Sequence, residues 1–455
     1  MVKKGEIIEL KIEDLKFPNR GQSILEDKKI IVHNTLPGQE VRIRIKKKRK
    51  SKIEGTLLEV ITPAPNQIEA PCPEFGSCGG CTYQNLAYAD QLKLKESFVK
   101  EILSDFNIEE AFEGVLPSPQ EFSYRNKMEF SFGDSYKEGP LMLGLHKRGS
   151  MYDIIDASEC MLVDKDFNKI LKAVLEFSRF NEYDYYHKRS HEGFLRHLVV
   201  RKGIKTNELL IELVTSSQNT LNEIGFLEAL ENADVDATIK GIIHTQNDSL
   251  SDVVQEDTSK VLYGQDYIYD EINGLKFKVT PRSFFQTNTL GAEVLYDVVV
   301  DYAGSSSAKH IFDLYCGTGT ITQILAKNHD FVTGIEIVAD AVAAANENAR
   351  LNGIDNAQFI CGDVMEEVSK LEDKPDVIIL DPPRDGIHVK AIDKIIAFNP
   401  ESFVYVSCKP TSLARDLPRF LEAGYAIKRV CCVDMFPNTP HVETVVLVSR
   451  VTKKA

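Results

Sequence analysis

Residues 309–322 read KHIFDLYCGTGTIT, an apolar strand pattern that runs into two glycines one residue apart. Gly317 and Gly319 permit a tight backbone turn against a ligand. A dinucleotide-binding turn normally adds a third glycine, and this chain has Thr322 in that place. The stretch therefore predicts the first strand and the ligand-binding turn of an open α/β sheet.

Apolar strand patterns alternate with helical patterns after this stretch, which predicts a doubly wound, Rossmann-like sheet in a domain spanning residues 286–455. Ligands of such sheets bind beyond the carboxyl ends of the strands. Glu336 ends the second predicted strand, where it can meet ribose hydroxyls, and Asp363 ends the third, near an adenine. With Asp381 after the fourth strand, this set favours S-adenosylmethionine over NAD. Helix capping is the structural alternative for Glu336 and Asp363.

The fifth predicted strand, SFVYVSC at residues 402–408, ends in a cysteine beside the Asp381 loop. A thiolate that adds to C6 of uracil makes C5 able to attack a sulfonium methyl group, and a base must then remove the C5 proton. Glu443, just before the last predicted strand, can supply that base, although an ordinary surface carboxylate is the alternative. Lys409 could lower the pKa of Cys408 electrostatically.

Four cysteines lie far from this predicted sheet. Cys72, Cys78 and Cys81 have the spacing C-x5-C-x2-C, and Cys160 is the only other cysteine before position 316. Short glycine-containing loops of this kind let thiolates converge on one inorganic centre. Four thiolates suit either tetrahedral zinc or an iron–sulfur cluster, and their spacing alone does not separate the two.

The N-terminal part of the chain carries a local basic run, although the whole protein has a net charge of −14. Residues 42–52, RIRIKKKRKSK, contain eight basic residues and no acid, which favours phosphate binding over a merely lysine-protected edge strand. Five short alternating stretches predict a five-stranded, oligonucleotide-binding-type barrel over residues 1–62. Residues 63–285 mix helix and strand patterns and predict a central α+β domain.

The chain contains neither an apolar stretch of membrane-spanning length nor a secretory signal pattern. We therefore expect a cytoplasmic protein that binds no membrane. A monomer is expected.

Four motifs together resemble the RNA uracil-5-methyltransferases: PRSFFQTN at 281–288, DPPRDG at 381–386, VYVSCKP at 404–410 and DMFPNTPHVE at 434–443. The resemblance implies that Cys408 is the nucleophile and Glu443 the general base. It further implies that Phe284 stacks near a flipped base, and that S-adenosylmethionine and the target lie among Gln286, Tyr315, Gly317, Glu336, Asp363 and Asp381. Lys409 stands where the family usually has Asn, and Asn438 where Gln, His or Tyr is more common.

The resemblance extends to the other two domains. The N-terminal barrel is similar to the TRAM domain, and the four cysteines are similar to the family's [4Fe-4S] site, so that zinc becomes the less favoured occupant. Both features resemble the ribosomal RNA branch, which implies a 23S ribosomal RNA substrate. The segment YRNK, residues 124–127, lies between the third and fourth cysteines and could lead RNA toward the site.

Four other functions would share part of this pattern. A tRNA uridine-5-methyltransferase would share the reaction. An RNA cytosine-5-methyltransferase would usually carry a second cysteine where this chain has DPPR, and a radical S-adenosylmethionine enzyme would need the spacing C-x3-C-x2-C. An RNA-binding ribosome assembly factor would have no use for Cys408 and Glu443 at strand ends.

Overall fold

The structure is a computed structural model that describes residues 2–49, 52–251, 257–304, 309–371 and 374–451. Its strands form sheets of six, seven, two and eight strands, which follow one another roughly in chain order. Lys50, part of the basic run, lies outside the described residues, as do Met1 and residues 452–455 at the ends of the predicted domains.

The N-terminal sheet has six strands, and the prediction of five was wrong. Its strands are β1 Ile7–Lys11, β2 Asp14–Lys16, β3 Arg20–Leu25, β4 Lys28–His33, β5 Glu40–Lys48 and β6 Lys52–Thr62. The first predicted stretch divides into β1 and β2 around the buried Ile12. β1 then pairs with β5 and β2 with β3, which places two consecutive strands at opposite edges of the sheet. Because only two residues join them, the sheet must curl, as a partly closed barrel does.

The central domain is built on a seven-stranded sheet in the order β10-β9-β8-β11-β12-β13-β14. Its strands are β8 Lys127–Asp134, β9 Leu141–His146, β10 Ile154–Asp156, β11 Leu195–Gly203, β12 Glu208–Thr215, β13 Thr238–Gln246 and β14 Thr258–Gly264. Helices α2 Lys165–Phe180 and α3 Glu223–Glu231 cover it, and a hairpin of β15 Ile268–Ile272 and β16 Leu275–Val279 follows. This mixture of helices and strands agrees with the predicted α+β class.

The C-terminal sheet has eight strands in the order β19-β18-β17-β20-β21-β23-β22-β7. The strands are β7 Phe112–Leu116, β17 His310–Leu314, β18 Phe331–Glu336, β19 Ala357–Cys361, β20 Val377–Leu380, β21 Ser402–Ser407, β22 Tyr425–Val433 and β23 Glu443–Arg450. The helices are α4 Thr289–Ala303, α5 Thr320–Ala326, α6 Ala339–Leu351, α7 Val364–Glu367, α8 Val389–Ala397 and α9 Pro410–Glu422. β17 to β21 are parallel and β23 runs antiparallel to them. Apolar cores fill both faces, so the predicted doubly wound fold is confirmed.

One segment of the predicted central domain belongs to this C-terminal sheet. Helix α1, Tyr88–Ile102, is followed by a 3₁₀ turn, Ser104–Phe106, and then by β7, which extends the sheet beyond β22. Val99 and Leu103 are fully buried in the same core as the sheet residue Phe403. The predicted boundary at residue 285 misses this, because strand pairing across some 300 residues leaves no local pattern in the sequence.

None of the helices in the described ranges is both long and apolar enough to cross a membrane.

Candidate active site

The turn after β17 has the shape that its glycines require. Gly317 and Gly319 adopt φ values of 55° and 75°, in the left-handed region. A Cβ on Gly319 would lie 2.5 Å from the Phe359 ring, whereas a Cβ on Gly317 would meet no atom within 4 Å. Gly319 is therefore required by packing, and Gly317 by backbone conformation beside open space where a ligand can approach.

Glu336 holds this turn to the end of β18. The Gly317 amide donates to one Glu336 carboxylate oxygen at 3.0 Å, and the Val338 amide donates to the other at 2.9 Å. A carboxylate has four lone-pair sites, so acceptors remain for ribose hydroxyls. Asp363 caps α7 by accepting from the Met365 amide at 2.7 Å, which is the structural use considered from the sequence. Tyr315 lies near Asp363, since burial and then the charge of that aspartate raise its pKa to about 12.

The PRSFFQTN loop lies against the glycine turn. The Thr318 hydroxyl donates to the Phe284 carbonyl at 3.3 Å, and the Phe284 side chain is 68% exposed. The Gln286 side chain hydrogen-bonds to Tyr296 of α4, whose pKa is raised by burial and by the charges of Asp381 and Glu443. The loop thus brings an exposed aromatic ring and a side-chain amide to the end of the sheet where the carboxylates lie.

Cys408, Asp381 and Glu443 meet because three adjacent strands end or begin together. Asp381 follows Leu380, which is paired with Tyr405 of β21. Cys408 follows Ser407, which is paired with Thr444 of β23, so the cysteine is opposite Glu443. The Glu443 side chain is buried and Cys408 is half-buried. The three side chains that the sequence singled out therefore lie together at the carboxyl end of the parallel strands.

Burial gives these three groups unusual proton affinities. Burial, then the neighbouring Asp381 carboxylate, raises the pKa of Glu443 to about 8. Burial and the nearby Asp313 raise the pKa of Asp381 to about 7. The pKa of the Cys408 thiol rises to about 11, first through burial and then through Glu443 and Asp381. Two carboxylates that titrate near neutral pH are suited to proton transfer from or to a neighbouring group.

Arg384 is a site residue that the sequence reasoning did not assign, although it lies in the quoted DPPRDG motif. Among the charged groups that lower the pKa of Cys408, its guanidinium has the largest effect, and it also lowers the pKa of Glu443. Lys409, which the sequence suggested for this task, is not among the groups that most affect the Cys408 thiol. Lys409 instead caps α9, with its carbonyl accepting from the Ser412 amide at 2.9 Å.

The four cysteines lie together on the central domain. Cys78 forms a β-bridge with Lys147 at the end of β9, and Cys160 follows β10. The pKa of the Cys81 thiol is raised to about 12. Burial is the main cause, and the charges of Cys160, Cys78 and Cys72 add to it. Within the described ranges, however, no group of three or more His, Cys, Asp or Glu side chains is arranged to hold a metal ion. The [4Fe-4S] cluster therefore stays a prediction.

Two of the four residues in the YRNK segment are buried, and Arg125 and Lys127 are partly exposed. Tyr124 and Asn126 are 2% and 3% exposed. The Tyr124 hydroxyl donates to the Pro437 carbonyl at 3.1 Å, and the Asn126 side chain donates to the Gln286 carbonyl at 2.7 Å. These contacts favour a structural role for Tyr124 and Asn126, which hold neighbouring loops, over direct RNA binding.

A parallel sheet with a glycine turn after its first strand and acids after the next ones is the fold of S-adenosylmethionine-dependent methyltransferases. A family model described as tRNA (Uracil-5-)-methyltransferase matches residues 87–451, and one described as TRAM domain matches residues 2–58. The chain belongs to this uracil-5-methyltransferase family and carries a TRAM domain. It is an RNA methyltransferase that transfers a methyl group from S-adenosylmethionine to C5 of uracil.

Individual proteins match over nearly the whole chain. An "uncharacterized RNA methyltransferase" of Clostridium tetani is 47% identical over 99% of both chains. One from Caldanaerobacter subterraneus is 46% identical over 98% of this chain and 99% of its own. The crystal structure of Pyrococcus abyssi tRNA (uracil-54, C5)-methyltransferase in complex with S-adenosyl-L-homocysteine is 28% identical with a TM-score of 0.77, covering 97% of this chain and 100% of that chain.

Proposed function

We propose that this protein methylates C5 of a uridine in 23S ribosomal RNA through a covalent bond between Cys408 and C6 of the base. The observation that best supports this mechanism is that Cys408, Glu443 and Asp381 lie together at the carboxyl end of the parallel strands. The ribosomal target rests on the TRAM domain and the four neighbouring cysteines, which together resemble the ribosomal RNA branch. We expect a monomer that acts in the cytoplasm.

The proposed reaction has three steps. The Cys408 thiolate forms a bond to C6, and the C5–C6 double-bond electrons move toward the O4 carbonyl. C5 then attacks the methyl group that S-adenosylmethionine supplies on its sulfonium, so that a C–C bond forms as the S–CH₃ bond breaks. Glu443 finally takes the C5 proton, the double bond reforms and the thiolate leaves. Because the pKa of the Cys408 thiol is about 11, the thiol must lose its proton when the target uracil binds. The positive charge of Arg384 favours this loss because it stabilises the thiolate.

The remaining site residues bind rather than react. Glu336 would accept from ribose hydroxyls of S-adenosylmethionine and Asp363 would lie near the adenine, while Tyr315 and Gly317 would line the same site. Phe284 offers an exposed ring on which the flipped uracil or a neighbouring base can stack. Gln286 and Asp381 would contact S-adenosylmethionine, and Gln286 would also bind the uracil.

The basic strand β5 supports binding to RNA phosphates. Val41, Ile43 and Ile45 face the barrel core, so the alternating Arg44 and Lys46 face outward. Arg42 is paired with Glu9 and Glu59, so it is not available for phosphates in the way its neighbours are. The outward cations give this part of an otherwise acidic protein local complementarity to a polyanion.

The choice of target has a direct test. The purified protein is incubated with labelled S-adenosylmethionine and with either unmodified 23S ribosomal RNA or unmodified total tRNA. We expect 5-methyluridine to form in the ribosomal RNA, with tRNA labelled at least about tenfold more slowly, a difference of some 1.4 kcal/mol. The Pyrococcus protein acts on uracil-54 of tRNA by its name, so tRNA is the second candidate. Preferential labelling of tRNA would replace the ribosomal assignment and leave the uracil chemistry intact.

We also propose that Cys72, Cys78, Cys81 and Cys160 hold a [4Fe-4S] cluster. Their surroundings fit an anionic sulfur centre: the Gly80 amide donates to the Cys78 sulfur at 3.3 Å, and the Gln84 side chain donates to the Cys81 sulfur at 3.1 Å. The Arg148 guanidinium contacts the carbonyls of Cys78 and Cys81 and adds a positive charge. Such donors tune and retain iron–sulfur clusters. The methyl transfer needs no electron, so the group would act structurally.

Replacing Cys78 with serine is expected to remove iron and acid-labile sulfide from the anaerobically purified protein, because one of four ligands is lost. The measurement is metal and sulfide content together with visible absorption. Cys361→Ser is the matched control, since Cys361 is an exposed cysteine outside the set and should leave iron content unchanged. One zinc and no sulfide per wild-type chain would show that the site is a zinc site.

A further inference from the structure

The proposed general base, Glu443, directly follows a loop that the catalytic domain holds at two points near its start, through the bonds of the Asp434 amide to the Leu116 carbonyl and of the Asn288 side chain to the Met435 carbonyl. Glu443 begins β23, and its partner in the strand register is Val433, the last residue of β22. The nine residues between them, 434–442, form the general-base loop. Because Glu443 directly follows this loop and its partner Val433 directly precedes it, a shift of the loop would be transmitted to the backbone of Glu443.

Helix α1 holds the start of the loop with a buried ion pair. The Lys95 ammonium lies 2.5 Å from an Asp434 carboxylate oxygen and donates to the Phe436 carbonyl at 3.0 Å. Both side chains of the pair are 0% exposed. A buried ion pair contributes little net stability compared with apolar residues of the same volume. Its geometric effect is definite, because it fixes two positions of the loop on a helix outside the predicted catalytic domain.

One helical turn earlier, Gln91 holds the middle of the loop. Its side-chain amide donates to the Asn438 side-chain oxygen at 3.0 Å, and its oxygen accepts from the Asn438 backbone amide at 2.9 Å. Gln91 and Asn438 are both 0% exposed. Asn438 has a φ of 66°, a left-handed conformation that Asn tolerates better than most residues. The paired amides thus fix a turn of unusual backbone shape.

The cysteine loop and the YRNK segment also contact the general-base loop. The amides of Thr82 and Tyr83, directly after Cys81, donate to the Asn438 carbonyl at 2.8 and 3.1 Å. Tyr124 donates to the Pro437 carbonyl at 3.1 Å. Each of these donors lies in residues 82–124, more than 300 positions before the loop in the sequence. The segment that carries the first three cysteines is therefore joined directly to the loop that carries the base.

We propose that Gln91, Lys95 and Tyr124 are positioning residues for the general base: through buried hydrogen bonds they hold the general-base loop so that Glu443 can reach the C5 proton. This rests on the proposed role of Glu443. The sequence of the three chemical steps then predicts a defect in the last step alone. Cys408 addition and methyl transfer precede the proton transfer, so a displaced Glu443 slows only the last step. The methylated RNA then stays bonded to the protein.

The test uses the full chain with Gln91→Met, which keeps the side-chain length and removes both hydrogen bonds to Asn438 together with the one to the Leu86 carbonyl. With ordinary uridine RNA, we expect turnover to fall about 10- to 100-fold, in line with misplacement of a catalytic group by about 1 Å. The covalent RNA–protein species, seen on a denaturing gel, should accumulate during turnover. Lys93→Met on the same helix is the matched control, because Lys93 is 76% exposed and should leave turnover unchanged.

A second substrate separates positioning from general damage. RNA with 5-fluorouridine at the target cannot lose a C5 proton, so its adduct forms without the base. Gln91→Met should form this adduct at the wild-type rate. Tyr124→Phe, which removes only one hydroxyl, should show the same selective defect to a smaller degree and guards against a folding failure of the first variant.

The outcomes are distinct. Equal loss of 5-fluorouridine adduct and of turnover would mean that these residues act on the whole fold, and normal turnover without adduct accumulation in both variants would mean that they do not position the base. Either result overturns the positioning proposal. Absence of a 5-fluorouridine adduct from the wild type on a competent RNA would instead overturn the proposed uracil mechanism.

Discussion

Replacing Cys408 with alanine is expected to abolish uracil methylation, lowering turnover by at least about a thousandfold. Without the thiolate, C5 of uracil is too weak a nucleophile to attack a sulfonium methyl group, whatever else the site retains. Methyl incorporation from labelled S-adenosylmethionine measures the loss. The same substitution should also remove the covalent adduct with 5-fluorouridine RNA, since no other sulfur among the described residues is opposite Glu443.

Two controls make this result specific. Cys361→Ala changes an exposed cysteine at the end of β19 and should keep full activity. Binding of S-adenosyl-L-homocysteine to Cys408→Ala should match the wild type, because Glu336 and the glycine turn are untouched. An adduct that survives in Cys408→Ala would mean that another residue is the nucleophile.

The sequence predicted the edge of the sheet well because strand ends are local features. Apolar runs that stop at Glu336, Asp381 and Cys408 mark carboxyl ends of parallel strands, and the doubly wound order brings such ends together. Glu443 was predicted from chemistry, as the carboxylate that the reaction needs. The register that sets Cys408 opposite Glu443 then follows from the pairing of Ser407 with Thr444.

Contacts between distant segments could not be predicted in the same way. The buried partners Lys95 and Asp434 are 339 residues apart, and an Asp and a Lys at such a separation carry no pattern. Lys409 was considered because it adjoins Cys408, yet the cation with the largest effect on the pKa of the thiol is Arg384, 24 positions before the cysteine. Sequence adjacency is a poor guide to electrostatic neighbours where several loops converge.

Replacing Glu443 with glutamine is expected to trap the reaction after methyl transfer. Glutamine keeps the size of the side chain but cannot take a proton at neutral pH, so the C5 proton stays and the C6–sulfur bond does not break. Release of methylated RNA should fall about 10²- to 10⁴-fold, the usual contribution of a general base. The measurement is the fraction of protein bonded to methylated RNA on a denaturing gel, compared with free 5-methyluridine product.

Asp381→Asn separates the two buried carboxylates. On the proposed roles, Asp381 binds and Glu443 takes the proton, so Asp381→Asn should form less adduct instead of accumulating it. If Asp381→Asn accumulates the methylated adduct while Glu443→Gln turns over normally, the general base is Asp381.

The pH dependence of adduct breakdown should carry the signature of Glu443. Its pKa is raised to about 8, chiefly by burial, so at lower pH the carboxyl is protonated and cannot act as a base. Breakdown of the methylated adduct in single turnover should therefore speed up with rising pH and level off above about 8. Control by Cys408, whose thiol pKa is about 11, would instead affect adduct formation and continue to rise at higher pH. Because Glu443→Gln removes the titrating base, it should abolish the inflection in breakdown, while adduct formation should still rise with pH through the Cys408 thiol. A breakdown rate that keeps its inflection in Glu443→Gln would assign the proton transfer to another group.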